Sequence, residues 1–396
     1  MIEPEWYQLK VDLTTSEGNV VKTSIDLRAG FVNKGDQSKI RSVMRRAEAG
    51  EPITVAFLGG SITQGSLSST PDLCYASRVY AWWKESFPNS EITCINGGIG
   101  ATDSQFGCAR VAEDVLRYEP DMVQVEFAVN DDCNEHFLET CEGVVRQVLS
   151  ALYPDGRTPA LMLMYNVRYD NGASAELMHS KIARHYDLPA VSMRSTIYPL
   201  LLSGELENRD ITPDDLHPND AGHELVASVI TYSLDEIRAA DLPEPAKKSL
   251  PAPLTEDRYE SYHRYRNNNS ADILRVCEGF TADGEPQSGI TDIFRNGWTA
   301  AEKGAYMEFE LEAKVIGLQY RRTIQLPAPV ATVTVDGNTE KTFILDANFD
   351  ETWGDKLCLM TVLESEEKSR HTLRVELTET HSDDELPFYL VSVLAG

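Results

Sequence analysis

The chain has 396 residues, of which 42% are hydrophobic and 25% charged, values typical of a globular protein with two domains. Its formal net charge of −27 and the lack of a Lys/Arg cluster argue against a nucleic-acid or anionic-membrane partner. The sequence contains no apolar run of about 18 residues, so no membrane-spanning helix is predicted.

The first thirty residues alternate apolar and polar side chains around Ser16-Glu17-Gly18, which predicts a β-hairpin, and residues 38–49 read as a helix. The start, MIEPEWYQLK, has neither the basic nor the apolar segment of a signal peptide. The seven cysteines lack metal-ligand spacing. These features favour reduced, buried thiols in a cytoplasmic protein.

From Glu51 onward, apolar runs alternate with helical patterns. The predicted strands cover residues 53–58, 92–96, 122–129, 160–167 and 189–193. The predicted helices cover residues 71–87, 103–117, 134–152, 172–185 and 219–239. Near-continuous apolar strands separated by helices indicate a parallel sheet covered on both faces, in a doubly wound α/β domain.

Residues 241–255 contain four prolines and little periodicity, which is typical of a linker or a strap over the surface. The helical patterns stop there, and short alternating strands joined by turns follow, which predicts a β-sandwich. The sequence therefore predicts four parts: an N-terminal hairpin-and-helix extension (1–50), an α/β domain (51–240), a linker (241–256) and a β-sandwich (257–396).

Three of the predicted strands end in glycine or polar residues of the kind that active sites use. In an open parallel sheet, functional groups collect at the carboxyl ends of the strands. The ends concerned are Gly59-Gly60-Ser61, residues 96–104 (NGGIGATDS) and residues 128–132 (AVNDD). Asp214 and His217 stand three residues apart, just before the last predicted helix.

Together these segments supply the groups that acyl transfer needs. A serine hydroxyl requires a general base, and the base requires a carboxylate that fixes its tautomer. Ser61, His217 and Asp214 fill these roles. The predicted donors to the oxyanion are the backbone N–H of Ser61, a backbone N–H of Gly100 or Ala101, and the side-chain amide of Asn130.

Each segment also has a purely structural interpretation. Gly-Gly-Ser occurs in many turns, Asn130-Asp131 is a common turn pair, and Asn219 or Asp220 can cap the following helix. His136, His179 and His185 have no partner at ligand spacing and are interpreted as surface or packing residues. The order and placement of all four segments together favour a hydrolase.

These blocks resemble the SGNH (GDSL-type) hydrolase superfamily over roughly residues 52–240. The resemblance implies a three-layer α/β/α, flavodoxin-like fold, with Ser61 as nucleophile, Asn130 as oxyanion asparagine and Asp214 and His217 completing the triad. The family's Gly-Asp-Ser-Leu reads Gly59-Gly60-Ser61-Ile62 here, and its Gly-x-Asn-Asp begins with Ala128. None of these departures removes a reacting group, but they leave open which of Gly100 and Ala101 is the donor.

FLGGSITQGS and NGGIGATDSQFG, followed by a β domain, are most similar to the carbohydrate-esterase branch, which acts on acetylated xylan or mannan and often carries a jelly-roll domain. The resemblance implies a serine esterase that removes acetyl groups from oligosaccharides without a metal or organic cofactor. Whether it forms a homo-oligomer is left open by the sequence. Two alternatives stay open: a lysophospholipase or thioesterase on longer acyl chains, and a non-catalytic glycan-binding protein. Trp298 and Trp353 are candidates for stacking on a sugar or for packing.

Overall fold

The structure is a computed structural model that describes residues 8–14, 20–246 and 249–396. At the N-terminus, strands β1 (Gln8–Thr14) and β2 (Val20–Asp26) pair antiparallel, with Leu9 opposite Ile25. The predicted hairpin is therefore present, although its predicted turn at residues 16–18 lies outside the described residues. The Asp26 side chain then caps a short 3-10 turn by accepting the N–H of Arg28.

A five-stranded parallel sheet forms the centre of the α/β region, in the order β4-β3-β5-β6-β7. Its strands are β3 (Ile53–Gly59), β4 (Ile92–Gly98), β5 (Met122–Glu126), β6 (Ala160–Tyr165) and β7 (Ala190–Ser192). The chain leaves β3 first towards β4 and later returns to β5 on the other side of β3. Ligands of open α/β sheets bind at such a reversal of strand order, at the carboxyl ends of the strands.

Helices surround this sheet, and the predicted ones are all present within a few residues of their expected ends. They are α1 (Ser38–Glu48), α2 (Ser61–Gln64), α3 (Tyr75–Ser86), α4 (Ser104–Asp114), α5 (Glu135–Ser150), α6 (Glu176–His185), α7 (Ile197–Ser203), α8 (Asn208–Ile211) and α9 (Asp220–Ala239).

Burial explains why the sequence takes this form. Every residue of β5 and β6 is buried, as expected for central strands covered on both faces. On α1, Ile40, Val43, Met44 and Ala47 recur at helical spacing and pack into the core. The predicted strand 122–129 is shorter in the structure, because Phe127 begins a turn that the N–H of Asn130 closes onto the Phe127 carbonyl (3.0 Å).

The proline-rich segment is a strap fixed to α5. Buried Glu142 accepts the N–H groups of Leu254 (2.5 Å) and Thr255 (2.8 Å) and the Thr255 hydroxyl (2.5 Å). Arg146 donates to the carbonyl of Pro251 (3.0 Å). Because a buried carboxylate is costly unless it is hydrogen-bonded, these contacts hold the end of the strap in one place.

Two compact units divide the chain after Asp257. The described residues up to that point, apart from Cys108–Arg110, form the first unit, and Arg258–Gly396 belong to the second.

The second unit is an antiparallel β domain. Nine strands are hydrogen-bonded into one sheet, in which the long β12 and β15 pair along most of their length. Register shifts near Ala313 and Gly317 bend β12, so that its first half pairs with β9 and its second half with β16. The strands are β8 (His263–Tyr265), β9 (Leu274–Glu278), β10 (Thr281–Ala282), β11 (Trp298–Ala300), β12 (Tyr306–Arg322), β13 (Val330–Val335), β14 (Thr342–Asp346), β15 (Lys356–Glu379) and β16 (Phe388–Ala395).

All seven cysteines are free, but the expectation that they are buried holds only in part. Cys74, Cys108 and Cys141 are buried, whereas Cys133 and Cys277 are exposed. Among the described residues, no helix has both the length and the apolar character that crossing a membrane requires.

Candidate active site

Ser61 is the first residue of α2, and only Gly60 separates it from the end of β3. The two glycines before it are dictated by close approaches. A Cβ on Gly59 would lie 2.2 Å from Thr63 Oγ1, and a Cβ on Gly60 would lie 2.2 Å from Asn130 Oδ1. Gly-Gly-Ser is therefore required here by packing, and Gly60 makes room for the asparagine predicted to face the nucleophile.

The structure brings together the three predicted triad residues. His217 Nε2 lies 2.7 Å from Ser61 Oγ, across 156 positions of sequence. His217 Nδ1 lies 2.6 Å from Asp214 Oδ2. With the ring proton on Nδ1, the imidazole donates to Asp214 and accepts from Ser61, which is the arrangement that activates a serine.

The carboxylate of Asp214 is held by more than its histidine. Asp214 Oδ1 accepts the backbone N–H groups of His217 (2.7 Å) and Leu216 (3.1 Å). Partial burial works against the charge, but these bonds and the one to the His217 ring outweigh it and lower the pKa of Asp214 below its ordinary value. Asp214 is therefore ionised at neutral pH and oriented towards the ring.

The segment around the histidine is fixed at both ends. Before it, Asp215 adopts a left-handed conformation (φ 67°), and its carbonyl accepts the N–H of Tyr169 (2.9 Å). After it, Asn219 caps α9 by accepting the N–H of Gly222 (3.0 Å), as predicted, and donates to the Asp210 carbonyl (3.0 Å). The structure therefore confirms the capping interpretation for Asn219, and the same segment places the His217 ring beside Ser61.

The two candidates for the second oxyanion donor differ in environment. The N–H of Gly100 donates to Gln64 Oε1 (2.6 Å). Ala101 adopts a left-handed conformation (φ 55°), which favours glycine and costs another residue about 1 kcal/mol.

Asn130 lies against Gly60, and its Oδ1 is buried with no partner among the described residues. Its side-chain amide has Nδ2 as its hydrogen-bond donor. The turn that carries Asn130 rests on Glu126, whose Oε1 accepts the N–H of Ala128 (2.9 Å). Burial raises the pKa of Glu126 to about 7, against the effect of the hydrogen bond from the N–H of Ala128.

Sequence reasoning did not identify several polar residues of this site. Gln64 lies one turn after Ser61, and its side chain accepts the N–H of Gly100. No sequence pattern marks an exposed glutamine as part of a site. His223, in the first turn of α9, accepts the N–H of Tyr75 at Nδ1 (3.2 Å) and donates from Nε2 to the Ser66 carbonyl (3.3 Å). Burial lowers the pKa of His223 to about 4, so the ring is neutral and holds the loop after the nucleophile.

Three histidines were interpreted as surface or packing residues, and the structure distinguishes them. His136 Nε2 lies 3.3 Å from Gln105 Oε1, and His185 contacts the Ala252 carbonyl (2.8 Å). His179 is instead buried and pairs with Asp131 (3.0 Å), the residue after Asn130. Of the two tryptophans considered for sugar stacking, Trp298 is buried in the β domain and only Trp353 is exposed.

A second Ser-His-Asp chain lies on the β domain. Ser369 Oγ is 2.8 Å from His371 Nε2, and His371 Nδ1 is 2.8 Å from Asp336 Oδ2. All three residues are at the surface strand β15 or the turn beside it, and Ser369 is exposed. Sequence analysis did not single it out, because these residues lie on an antiparallel sheet and not at the carboxyl ends of parallel strands.

Comparison with known proteins bears on the identity of this site. Residues 57–225 match the GDSL-like lipase/acylhydrolase family. A crystal structure described as a two-domain esterase (CEX) active on acetylated mannans is 55% identical, covering 94% of this chain and 98% of its own, with a TM-score of 0.89. The structure of that esterase co-crystallised with mannopentaose has the same identity and coverage and a TM-score of 0.88.

A more distant relative is thioesterase 1/protease 1/lysophospholipase L1 of Escherichia coli K12, which is 25% identical over 190 residues, 46% of this chain and 84% of its own length. The match to the two-domain esterase covers both units, so it accounts for the α/β region and for the β domain after it. The chain belongs to the GDSL-like lipase/acylhydrolase family and is a two-domain carboxylic ester hydrolase.

Proposed function

We propose that this enzyme removes O-acetyl groups from carbohydrates, with acetylated manno-oligosaccharides as the preferred class of substrate. The observation that carries the proposal is the 55% identity over 94% of the chain to an esterase active on acetylated mannans. The unbroken hydrogen-bond chain from Ser61 through His217 to Asp214 supports the same reaction class.

In the proposed mechanism, Ser61 Oγ attacks the acetyl carbonyl while His217 Nε2 takes its proton. Asp214 stabilises the imidazolium that forms. The tetrahedral intermediate collapses when His217 returns the proton to the departing sugar hydroxyl, which leaves Ser61 acetylated. A water molecule then repeats the cycle, with His217 as base, and releases acetate.

We assign the oxyanion donors to the N–H of Ser61, the N–H of Ala101 and Nδ2 of Asn130. As the first residue of α2, Ser61 has an N–H that precedes the first intrahelical hydrogen bond. Ala101 is favoured over Gly100 because the Gly100 N–H is already donated to Gln64. Asn130 is supported by its place against Gly60, next to the nucleophile.

A second candidate is hydrolysis of longer acyl esters, which the similarity to the Escherichia coli thioesterase and lysophospholipase favours. A series of p-nitrophenyl esters from acetyl to octanoyl separates the two. We expect kcat/KM to fall as the acyl chain grows. A rise towards octanoate would favour the second candidate and contradict the first.

The experiment that tests the proposal measures acetyl release from acetylated manno-oligosaccharides by mass spectrometry. We expect Ser61→Ala to lower kcat/KM by about 10⁴-fold or more. Ser369→Ala is the matched control, since it removes a serine hydrogen-bonded to a histidine in the same way, and it should leave the rate unchanged. Deacetylation that survives in Ser61→Ala would overturn the assignment of the nucleophile.

A further inference from the structure

The residue after the oxyanion asparagine is the centre of a buried polar network. Asp131 is buried, and its Oδ1 accepts the N–H of Ser104 (2.9 Å). Its Oδ2 lies 3.0 Å from His179 Nε2, and its own N–H donates to the carbonyl of Phe127 (2.9 Å). Both carboxylate oxygens of Asp131 thus have a partner from a different element.

His179 Nε2 is the side-chain partner of Asp131 Oδ2, and the pair is an ion pair when the ring is protonated. The side chains of His179 and Asp131 are 2% and 0% exposed, so the pair is shielded from water. Burial penalises the charged ring, but Cys141 and the Asp131 carboxylate outweigh it and raise the pKa of His179 well above its ordinary value. A buried carboxylate without such a partner would be strongly unfavourable.

The network connects the two segments that supply the proposed oxyanion donors. Ser104 begins α4, three residues after Ala101, and its hydroxyl lies 2.5 Å from the Thr140 hydroxyl on α5. Asp131 follows Asn130 directly in the chain. One carboxylate therefore joins the Ala101 segment to the Asn130 turn, and His179 holds that carboxylate from α6.

A backbone contact reinforces the link between α6 and the same turn. The N–H of Ala175, the residue that precedes α6, donates to the carbonyl of Ala128 (2.7 Å). The N–H of His179 in turn donates to the Ala175 carbonyl (3.0 Å). The start of α6 is thus fixed to the Asn130 turn both through the backbone and through the His179–Asp131 pair.

We propose that His179 is a positioning residue for the oxyanion hole, which acts through Asp131 to hold Asn130 and the Ala101 segment at the distance that the tetrahedral intermediate requires. This inference rests on the proposed function, because it needs Asn130 to be an oxyanion donor. Neither His179 nor Asp131 touches the substrate. Their effect is on geometry, and a displacement of about 1 Å in such a site can lower a rate by about 10²-fold.

The alternative is that His179 only fills space in the core. The two roles differ in how they respond to substitution. In His179→Gln, the side-chain amide can place an N–H near the position of His179 Nε2 and keep a donor on Asp131. In His179→Leu, the volume stays apolar and filled but the donor is lost. A space-filling role predicts similar activity for both variants, whereas a positioning role predicts that glutamine retains activity that leucine loses.

The test is a double-mutant cycle on kcat that combines His179→Leu with Asn130→Ala. We expect His179→Leu to lower kcat by about 10- to 100-fold, the size of loss that misplacing a catalytic group causes. KM should change by about twofold or less. We expect Asn130→Ala to lower kcat by about 10²- to 10³-fold. In the Asn130→Ala background, His179→Leu should cost only about twofold more, because the group that it positions is gone.

His185→Leu is the matched control, since it makes the same substitution at the other end of α6 and should leave kcat unchanged. The positioning role is wrong if the kcat of the double variant falls by the product of the two single-variant losses. It is also wrong if His179→Leu and His179→Gln are equally active. If Asn130→Ala itself leaves kcat unchanged, the oxyanion assignment fails instead. Should His179→Leu not fold, Asp131→Asn replaces it in the same cycle, because asparagine keeps an acceptor for Ser104 and removes the charge that pairs with His179.

Discussion

Two Ser-His-Asp chains of nearly the same geometry occur in this protein. In the α/β region, the distances from serine to histidine and from histidine to aspartate are 2.7 and 2.6 Å. On the β domain, both corresponding distances are 2.8 Å. In each chain, partial burial opposes the charge of the aspartate, and hydrogen bonds from its histidine and from the backbone lower the pKa.

The surroundings of the two serines differ. Ser61 is buried at a strand end, with glycines before it and Asn130 against Gly60. Ser369 is exposed within β15, in register with Ala313 and flanked by Lys368 and Arg370. On the proposed assignment, the two serines differ in the supply of donors for the oxyanion, which is commonly the largest catalytic contribution.

The largest contrast is expected from neutralising each aspartate. Asp214→Asn should lower kcat by about 10⁴-fold, because asparagine cannot hold the imidazole in the right tautomer or stabilise its charge. Asp336→Asn makes the same change in the second chain and should leave kcat unchanged, at a stability cost of about 1 kcal/mol or less. Steady-state kinetics and thermal melts of both variants measure these effects on kcat and stability. A loss of activity in Asp336→Asn would contradict the claim that only the chain in the α/β region is catalytic.

The acids that support the two regions should affect stability with opposite dependence on pH. Folded Glu126 keeps its proton up to about pH 7, whereas the unfolded chain releases it near pH 4.5, so the free energy of unfolding should fall as pH rises between these values. The shift corresponds to about 3 kcal/mol. Glu126→Gln should therefore gain about that much stability over the wild type on going from pH 4.5 to pH 8.

Denaturant melts at several pH values measure this difference. Asp336→Asn serves as the comparison, since the lowered pKa of Asp336 gives a stabilising contribution that is lost only as pH falls below the ordinary aspartate value of 3.8. Its stability relative to the wild type should be constant between pH 5 and pH 8. A stability difference for Glu126→Gln that is equally flat would contradict a raised pKa for Glu126.

A smaller effect is expected from Gln64, whose side chain accepts the N–H of Gly100, next to the proposed donor Ala101. Ser369 has no counterpart of this contact. Gln64→Ala removes the acceptor of the Gly100 N–H and should lower kcat by about tenfold, because the neighbouring Ala101 N–H is then less well held. Gln37→Ala, at a glutamine before α1 whose side chain makes no capping bond, is the control. Unchanged turnover in Gln64→Ala would show that the segment holds its shape without the glutamine.

The smallest effect concerns the left-handed residue in that segment. Ala101→Gly relieves a conformation that costs alanine about 1 kcal/mol and should raise stability by up to that amount without lowering kcat. Ala112→Gly, on an exposed position of α4, should instead destabilise by about 1 kcal/mol, because glycine is unfavourable within a helix. Calorimetric melts of the two variants should shift in opposite directions, and a shift of the same sign in both would refute the strain at Ala101.

The sequence is informative about the fold and the reacting groups because both follow simple rules. Period and apolar content identify the five parallel strands and their helices. The rule that functional groups lie at carboxyl ends of parallel strands then brings Ser61 and Asn130 together, and the motif before α9 adds Asp214 and His217. These are local patterns combined by one topological rule.

The supporting residues follow no such rule. His179 and Asp131 are 48 positions apart, and neither has a local pattern that marks a buried pair. The choice between Gly100 and Ala101 depends on one backbone angle and on the side chain of Gln64, neither of which composition or periodicity predicts. The apolar run over residues 122–129 likewise predicts one continuous strand. It gives no sign of the turn at Phe127, which lies between Glu126 and Asn130.

The most direct test of the central claim is covalent labelling of the intact enzyme with a fluorophosphonate, followed by peptide mapping. Both serines are hydrogen-bonded to a histidine, but only Ser61 is proposed to have donors that stabilise the transition state of phosphonylation. We expect one label per chain, on Ser61, and none on Ser369. Labelling of Ser369 at a comparable rate, or an unlabelled Ser61 in active enzyme, would contradict the account.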